Sequence, residues 1–192
     1  MATGQSDPWV KVRTCHDFPA DEVISALQKE IRRGNTENAA LLAYEMATTS
    51  PEMEDYLWYR LLVISVEDVG MGDPQAPVLV NTLYQISQRF GQRGGESLLM
   101  VIHAVRHLCA CQKDRASDEM VNWIKHAVDE EGLRPTIPDY ALDMHTARGP
   151  QMGRGKRHFW EEGSKLHPEL PERDTTYRER MLALLDVIEP VE

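Results

Sequence analysis

Cysteine is scarce in this sequence, and the features of a secreted or membrane-bound protein are missing. The three cysteines, Cys15, Cys109 and Cys111, are too few and too unevenly spaced for a disulfide framework, which favours reduced thiols. The first stretch, MATGQSDPWVKVRTCHDF, has no apolar signal-peptide core. No apolar run approaches the ~18 residues that a membrane span needs. We therefore expect a soluble, cytoplasmic protein with no membrane partner.

Catalytic motifs are missing as well. The sequence contains no G-x-x-x-x-G-K-[ST] phosphate loop and no G-x-S-x-G nucleophile elbow. Cys15 and His16 are neighbours, but they lie in a polar N-terminal stretch with no evident rigid setting. The sequence therefore predicts no catalytic residue and no cofactor, and we expect a protein that is not an enzyme.

Positive charge is in short supply overall. The 192 residues carry a formal net charge of −10, so most of the surface would repel a polyanion such as DNA or RNA. Hydrophobic residues make up 42% of the chain, which is enough for a sizeable core. We expect one domain with a distinct C-terminal tail.

What the sequence does contain is helical periodicity. In PADEVISALQKEIRRG, helical spacing relates Val23, Ile24, Leu27 and Ile31, and Gly34 follows as a stop signal. Five further segments show similar patterns. The last of them, from about residue 116 to 131, has an apolar face made of Met120, Trp123, Ile124 and Val128. Strand-like alternation is absent, so we predict an all-α fold, a compact multi-helix bundle of about six to eight helices.

Composition divides the chain into three parts. Residues 1–18 form a mixed, polar N-terminal arm that we expect to be extended or loosely ordered, and residues 19–133 form the helical core domain. Residues 134–192 are rich in glycine, proline and charge. In this last part we predict two short helices, at about 139–145 and 157–165, and a final amphipathic helix, TTYRERMLALLDVI, packed on the core.

An acidic corner, SVEDVGMGDPQAP, interrupts the helical pattern at residues 65–77. Gly70 can take the left-handed conformation that closes the preceding helix. Asp73 is suited to cap the next helix, with Pro74 at its first position. The sequence therefore predicts a corner of very few residues between two helices.

The acids of this corner have two possible roles. Glu67, Asp68 and Asp73 are carboxylates, which suit Mg²⁺ or Ca²⁺. The segment lacks the spacing of a calcium loop, however, and Asp73 is already suited to capping. Glu67 lies seven residues after Arg60, on the same helical face, where the two can form an ion pair. We favour the structural role and predict no metal here.

A second candidate metal site lies on the fifth predicted helix, where His103, His107 and Cys111 form one stripe at four-residue intervals. Two imidazoles at this spacing can share a zinc ion. The glutamate of H-E-x-x-H is absent, and three residues spread over eight positions cannot easily reach one ion. We favour a partly buried histidine pair without metal.

Local positive charge is concentrated in a basic Gly-rich segment, residues 148–160. Its cations lie among three glycines, which permit close approach of an anion, and two aromatic residues follow that can stack on bases. The candidate binding residues are Arg148, Arg154, Lys156, Arg157, His158 and Trp160. The alternative is a solvated loop whose cations pair with Glu161, Glu162 and the acidic helices. The segment is thus a candidate for weak binding of single-stranded nucleic acid or nucleotide phosphate.

With the corner and its flanks described, a family resemblance can be stated. YRLLVISVEDVGMGDPQAPVLVNTLYQ resembles the signature in the C-terminal region of the replication-associated recombination protein A family, clamp-loader-like AAA+ ATPases related to the Werner helicase-interacting protein. The residues that match are Arg60, Glu67, Asp68, Val69, Gly70, Asp73, Pro74, Gln75 and Ala76. Val66 and Gly72 depart from it, since the family prefers serine and alanine there. IRRGNTENAALLAYEMA and MGRGKRHFWEEG are similar to further parts of the same region.

The resemblance implies a helical C-terminal domain without its ATPase half, so ATP hydrolysis is not carried over. In the family, this region is associated with oligomerisation, commonly as a tetramer, in a DNA-repair protein. Our leading hypothesis is a non-enzymatic oligomerisation and interaction module that acts in DNA replication, recombination or repair. A remaining apolar face would form the subunit contact of a dimer or tetramer. A separately encoded ATPase or another replication or repair protein is a further possible partner.

Overall fold

The computed structural model of the protein describes residues 8–90 and 94–188, in two compact units that divide between Gly132 and Leu133. The first unit contains α1 (Ala20–Arg33), α2 (Thr36–Thr49), α3 (Pro51–Ile64), α4 (Ala76–Ser87), α5 (Gly95–Ala110) and α6 (Ala116–Asp129). The second contains α7 (Arg148–Gln151), α8 (Lys156–His158) and α9 (Thr176–Ile188). The described residues contain no strand, only an isolated bridge between Arg13 and Pro19. The predicted all-α fold is confirmed.

The core of the first unit surrounds α5, which contacts α1, α2, α3 and α4. Val101, Ala104, Val105 and Leu108 of α5 are fully buried, on one side of the helix. From α1, the predicted inward residues Val23, Leu27 and Ile31 join the same core, and Ile24 packs against it while only partly buried. Among the described residues, no helix is both long enough and apolar enough to cross a membrane.

Helix ends follow local chemistry. Gly34 ends α1 at a φ of 75°, and its backbone N–H donates to carbonyls of the last turn, as the glycine stop predicts. Before α3, the Ser50 hydroxyl accepts a hydrogen bond of 3.2 Å from the Met53 N–H, and Pro51 occupies the first position. Short links of this kind turn α1, α2 and α3 back on one another.

The acidic corner has an unexpected backbone. After α3 the chain widens into a π-helical turn, Ser65–Val69, and then tightens into a 3₁₀ turn, Gly70–Gly72. Gly70 has the predicted positive φ, 52°, but its ψ of −128° lies outside the left-handed helical region, so that part of the prediction is wrong. The conformation is one that glycine alone adopts readily.

Asp73 closes a turn that precedes the next helix. Its Oδ1 accepts a 3.0 Å hydrogen bond from the Gln75 N–H, and its carbonyl accepts one from Ala76. Because α4 begins at Ala76, Pro74 lies before the helix and not at its first position as predicted. The predicted cap by Asp73 is wrong, because the residue before the first turn is Gln75, whose side chain makes no capping bond, and the helix starts two residues later.

The N-terminal arm is described from Pro8 onward, and this part is folded rather than loose. It begins with a 3₁₀ turn, Pro8–Lys11, and the Ala20 N–H donates to the Val12 carbonyl at 3.0 Å. The Trp9 ring lies 5.1 Å from the ring of Tyr56 on α3. Residues 1–7 of the predicted arm lie outside the described residues.

The second unit contains less regular structure than the first. The helix predicted at about 139–145 is only a 3₁₀ turn, Asp139–Ala141. The one predicted at 157–165 consists of α8 and a π-helical turn, Phe159–Gly163. The predicted C-terminal helix is present as α9, in which Leu185 is fully buried.

The Gly70 backbone yields a stability prediction. A Cβ at this position would lie 2.3 Å from the Asp114 carbonyl oxygen, on a backbone whose φ already disfavours any side chain. Gly70→Ala should therefore lower the free energy of unfolding by at least about 1–2 kcal/mol in urea titrations. The control is Gly95→Ala, where a Cβ meets nothing within 4 Å, and we expect a change below about 0.5 kcal/mol. Equal stabilities for the two variants would show that position 70 does not require glycine.

Candidate functional site

A fully buried carboxylate lies at the centre of the acidic corner. Asp68 is 0% exposed. Its Oδ1 receives hydrogen bonds from Arg32, in the last turn of α1, and from Arg115, just before α6, the latter at 2.7 Å. Its Oδ2 accepts from the Gln28 amide at 2.9 Å. Burial alone would raise the pKa of Asp68, but these bonds outweigh it and hold the pKa below its usual value.

Glu67 shares the same cations. It accepts from the Gln28 amide at 2.7 Å and lies 3.3 Å from Arg115 and 3.5 Å from Arg32. The predicted ion pair with Arg60 is wrong, because Arg60 donates to the Gln28 side-chain oxygen, which places Gln28 between them. Two guanidinium groups already neutralise Glu67 and Asp68, and the structural role of these acids stays a prediction.

The segment that links α5 to α6 lies directly against this corner. The Asp114 N–H donates to the carbonyls of Asp68, at 3.0 Å, and Val69, at 3.2 Å. A Cβ at Gly72 would lie 2.4 Å from the Gln112 carbonyl oxygen, so the two backbones meet without room for a side chain. This contact positions Arg115 for its bonds to the buried carboxylate.

Three potential metal ligands converge beside the corner. The His107 Nε2 lies 2.9 Å from the Asp73 Oδ2, and the Cys111 Sγ lies 3.4 Å from that nitrogen and 3.6 Å from that oxygen. Two members of the predicted histidine and cysteine stripe therefore meet, but their third partner is Asp73 from another element. His103, the first member of the stripe, is exposed and outside this group.

A second group of the same composition contains Cys15, His16 and Glu45. The Glu45 Oε2 lies 2.6 Å from the His16 Nδ1, and the Cys15 Sγ lies 3.4 Å from the same nitrogen. A nucleophile and an orienting acid must use opposite ring nitrogens to form a catalytic relay, so this arrangement is not one. Although burial raises the pKa of Glu45, hydrogen bonds from Thr14, His16 and Cys15 lower it to about 2.

The basic Gly-rich segment uses two of its cations internally. Arg154 donates to the Asp139 carboxylate at 2.6 Å and to the carbonyls of Asp139 and Leu142. Arg157 bonds to the Glu161 and Asp186 carboxylates, and these bonds raise its pKa. Of the two acids named in the alternative prediction, Glu161 pairs with a cation of this segment, whereas Glu162 bonds to Lys165.

The remaining candidates in this segment differ in exposure. Arg148 and Lys156 are exposed, whereas His158 and Trp160 are partly buried. The Trp160 ring contacts Phe159 edge-on at 5.4 Å, and its carbonyl accepts from Arg178 of α9 at 2.9 Å. Trp160 thus braces the second unit, which leaves Arg148 and Lys156 as the outward-facing cations among the six candidates.

An apolar surface covers one side of α6. Its large residues Met120, Val121, Trp123 and Ile124 are 60%, 45%, 58% and 42% exposed. We call these four residues the α6 surface. Val121 also lines a groove of about 510 Å³ beside α3, with Tyr59, Leu62, Val63 and Val66. The first unit therefore presents an extended apolar surface that its own core does not use.

Comparison with known proteins identifies the family of most of the chain. Residues 34–168 match the family described as MgsA AAA+ ATPase C terminal, which is more than half of the chain. The chain belongs to this family. The matched range includes the whole acidic corner, the convergence of Asp73, His107 and Cys111, and the basic Gly-rich segment. The resemblance inferred from the signature is confirmed.

Individual relatives match over most of the chain. Replication-associated recombination protein A of Bacillus subtilis (strain 168) is 32% identical over 147 residues, which cover 73% of this chain and 33% of the relative. The proteins of that name in Haemophilus influenzae and Escherichia coli K12 are each 30% identical, over 67% and 71% of this chain and 27% and 30% of theirs. The chain spans about a third of the length of these curated relatives.

The buried charge cluster yields a second prediction. Asp68→Asn would leave Arg32 and Arg115 without their shared anion, so we expect a loss of about 2–4 kcal/mol in the free energy of unfolding. The control is Asp118→Asn, which removes a partly exposed partner of Arg115 and should cost less than about 1 kcal/mol. Chemical denaturation at neutral pH measures both.

Acidification provides an independent check. Because the pKa of Asp68 is lower in the folded state than in the unfolded chain, its stabilisation is present above about pH 4 and is lost as the pH falls through the folded pKa. The stability difference between the wild type and Asp68→Asn should therefore shrink on acidification. A difference that stays constant or grows would show that Asp68 is not the stabilising anion.

Proposed function

We propose that this protein is a non-enzymatic interaction module that self-associates as a dimer or tetramer and acts in DNA replication or recombination. The family and the names of the relatives support the process, since the matched relatives are replication-associated recombination proteins. The part of those relatives that this chain matches is the C-terminal helical part, which supports a role in assembly and not in ATP hydrolysis.

The α6 surface is the observation that carries the self-association. Large apolar side chains that stay exposed on one side of a helix favour burial against a partner, at about 25 cal/mol per Å² removed from water. Tryptophan, as at position 123, is among the residue types that dominate the energetics of such contacts, and methionine, as at position 120, is enriched in them. The adjacent groove beside α3 extends the surface and offers a pocket for a partner's side chain.

The acidic corner gives this surface a rigid base. Arg115 precedes α6 by one residue and is bonded to Asp68 and to Asp118 in the first turn of the helix. The start of α6 is therefore fixed to the core by charge, although most of its side chains face outward. A preorganised apolar helix loses little conformational entropy when it binds.

Nucleic-acid binding through residues 148–160 is the weaker alternative. The internal bonds of Arg154 and Arg157 compete with phosphate, and two outward-facing cations give little affinity at physiological salt. A separately encoded ATPase or other replication protein would be a partner for the same α6 surface. Of these two uses of the α6 surface, self-association is the one that can be tested with the purified protein alone.

The third prediction concerns this surface. Sedimentation of the wild type at micromolar concentration should give a species larger than the 21.9 kDa monomer. Trp123→Glu should weaken the association by at least about tenfold, because it places a charge in a desolvated contact. The double variant Met120→Glu with Trp123→Glu should be monomeric over the same range.

The matched control is Asn122→Glu, which adds the same charge on the opposite side of α6. We expect it to associate like the wild type, with an unchanged helical circular-dichroism spectrum. A monomeric wild type, or equal weakening by Asn122→Glu and Trp123→Glu, would overturn self-association through the α6 surface.

A further inference from the structure

The end of α5 and the acidic corner bring together an imidazole, a thiol and a carboxylate. His107 lies in the last turn of α5, Cys111 directly follows the helix, and Asp73 comes from the turn before α4. Their ligand atoms are separated by 2.9, 3.4 and 3.6 Å. Three donor atoms this close together can all bind one metal ion, as in sites that have three protein ligands.

The distances fit a tetrahedral zinc ion. Zinc bonds of about 2.0 Å to nitrogen and oxygen and 2.3 Å to sulfur place tetrahedral N and S ligands ~3.5 Å apart, and N and O ligands ~3.3 Å apart. The observed distances from Cys111 to the other two atoms already match these values. Only the distance between His107 and Asp73 has to open, by about 0.4 Å.

The surroundings hold the ligands in this orientation. Asp73 uses its Oδ1 to accept from the Gln75 N–H, which leaves Oδ2 directed at the imidazole. The backbone contact of Gly72 with Gln112 fixes the corner against the residue that follows Cys111. The Lys113 ammonium bonds to the Cys111 carbonyl at 2.5 Å, which places a positive charge near the sulfur. Oriented ligands of this kind bind metal with less reorganisation.

We propose that Asp73, His107 and Cys111 form a transition-metal site that prefers Zn²⁺, with water at a fourth position. A thiolate with an imidazole selects zinc or a similar soft to borderline ion over Mg²⁺ and Ca²⁺, which take oxygen ligands. Coordination replaces the thiol proton of Cys111, which passes to solvent. The ion joins the corner to the end of α5, so it stabilises the folded first unit, and the gain grows with the logarithm of the ion concentration above the dissociation constant.

The group of Cys15, His16 and Glu45 is the less suitable of the two. Cys15 and His16 are neighbours in sequence, and their contacts with Glu45 use different carboxylate oxygens. Glu45 also accepts the His16 backbone N–H at 3.0 Å, so its lone pairs are more fully used. In the preferred site, His107 and Cys111 lie one helical turn apart, a spacing that lets both reach one ion.

The test uses full-length protein without an affinity tag, stripped of metal and kept reduced. Co²⁺ is titrated as a spectroscopic probe for Zn²⁺, because a cobalt–thiolate bond gives a charge-transfer band in the near ultraviolet. We expect one equivalent to produce this band, Zn²⁺ to abolish it, and Zn²⁺ to raise the melting temperature. Cys111→Ser should remove the band, and His107→Gln should weaken binding by more than tenfold.

Three further variants make the assignment specific. His103→Gln and Cys15→Ser should bind metal like the wild type. His103 lies outside the proposed site, and Cys15 belongs to the group with His16 and Glu45. Asp73→Asn keeps a side-chain oxygen that accepts the Gln75 N–H, so it should weaken metal binding while the metal-free melting temperature stays unchanged. No charge-transfer band in the wild type, a band retained in Cys111→Ser, or a band lost in Cys15→Ser would each overturn the proposal.

Discussion

The neutralisation of one buried carboxylate organises the first unit. Asp68 has no contact with water, so its charge requires partners within the protein. Arg32 comes from α1 and Arg115 from the segment before α6, and the two donors are separated by most of the unit's sequence. Both arginines donate to the same carboxylate oxygen of Asp68. The negative charge is therefore neutralised only when α1, the corner and the start of α6 are held in one particular arrangement. The corner is thus a junction of three segments.

The π-helical turn makes this junction possible. Adjacent residues on an α-helix point about 100° apart, yet Glu67 and Asp68 both bind Gln28, Arg32 and Arg115. The helix widens at Ser65–Val69, and this allows the consecutive residues Glu67 and Asp68 to bond to the same donors. Gly70 then reverses the chain where its backbone touches Asp114. A regular α-helix followed by a left-handed glycine, as the sequence predicted, would not bring both carboxylates to the same cations.

Local patterns predicted the parts of the fold that depend on neighbours in sequence. The spacing of Val23, Leu27 and Ile31 identified the inner face of α1, and Gly34 marked its end. The charge partners escaped because they depend on distant contacts: Arg32 and Arg115 lie 36 and 47 residues from Asp68. The expected pair of Glu67 with Arg60 failed for the same reason, since Gln28 from another helix occupies the position between them.

Helical periodicity identifies a face but not what covers it. The sequence of α6 also has an apolar face at helical spacing, yet Met120 and Trp123 are exposed while Leu27 is fully buried. The stripe of His103, His107 and Cys111 shows the same limit, because ligands converge from different elements and not along one helix. Asp73 reaches His107 only because Gly72 lets the corner approach Gln112. The close contact between Gly72 and Gln112 therefore holds the corner between two groups of side chains. Asp68 bonds to arginines on one side, and Asp73 faces the His107 imidazole and the Cys111 thiol on the other.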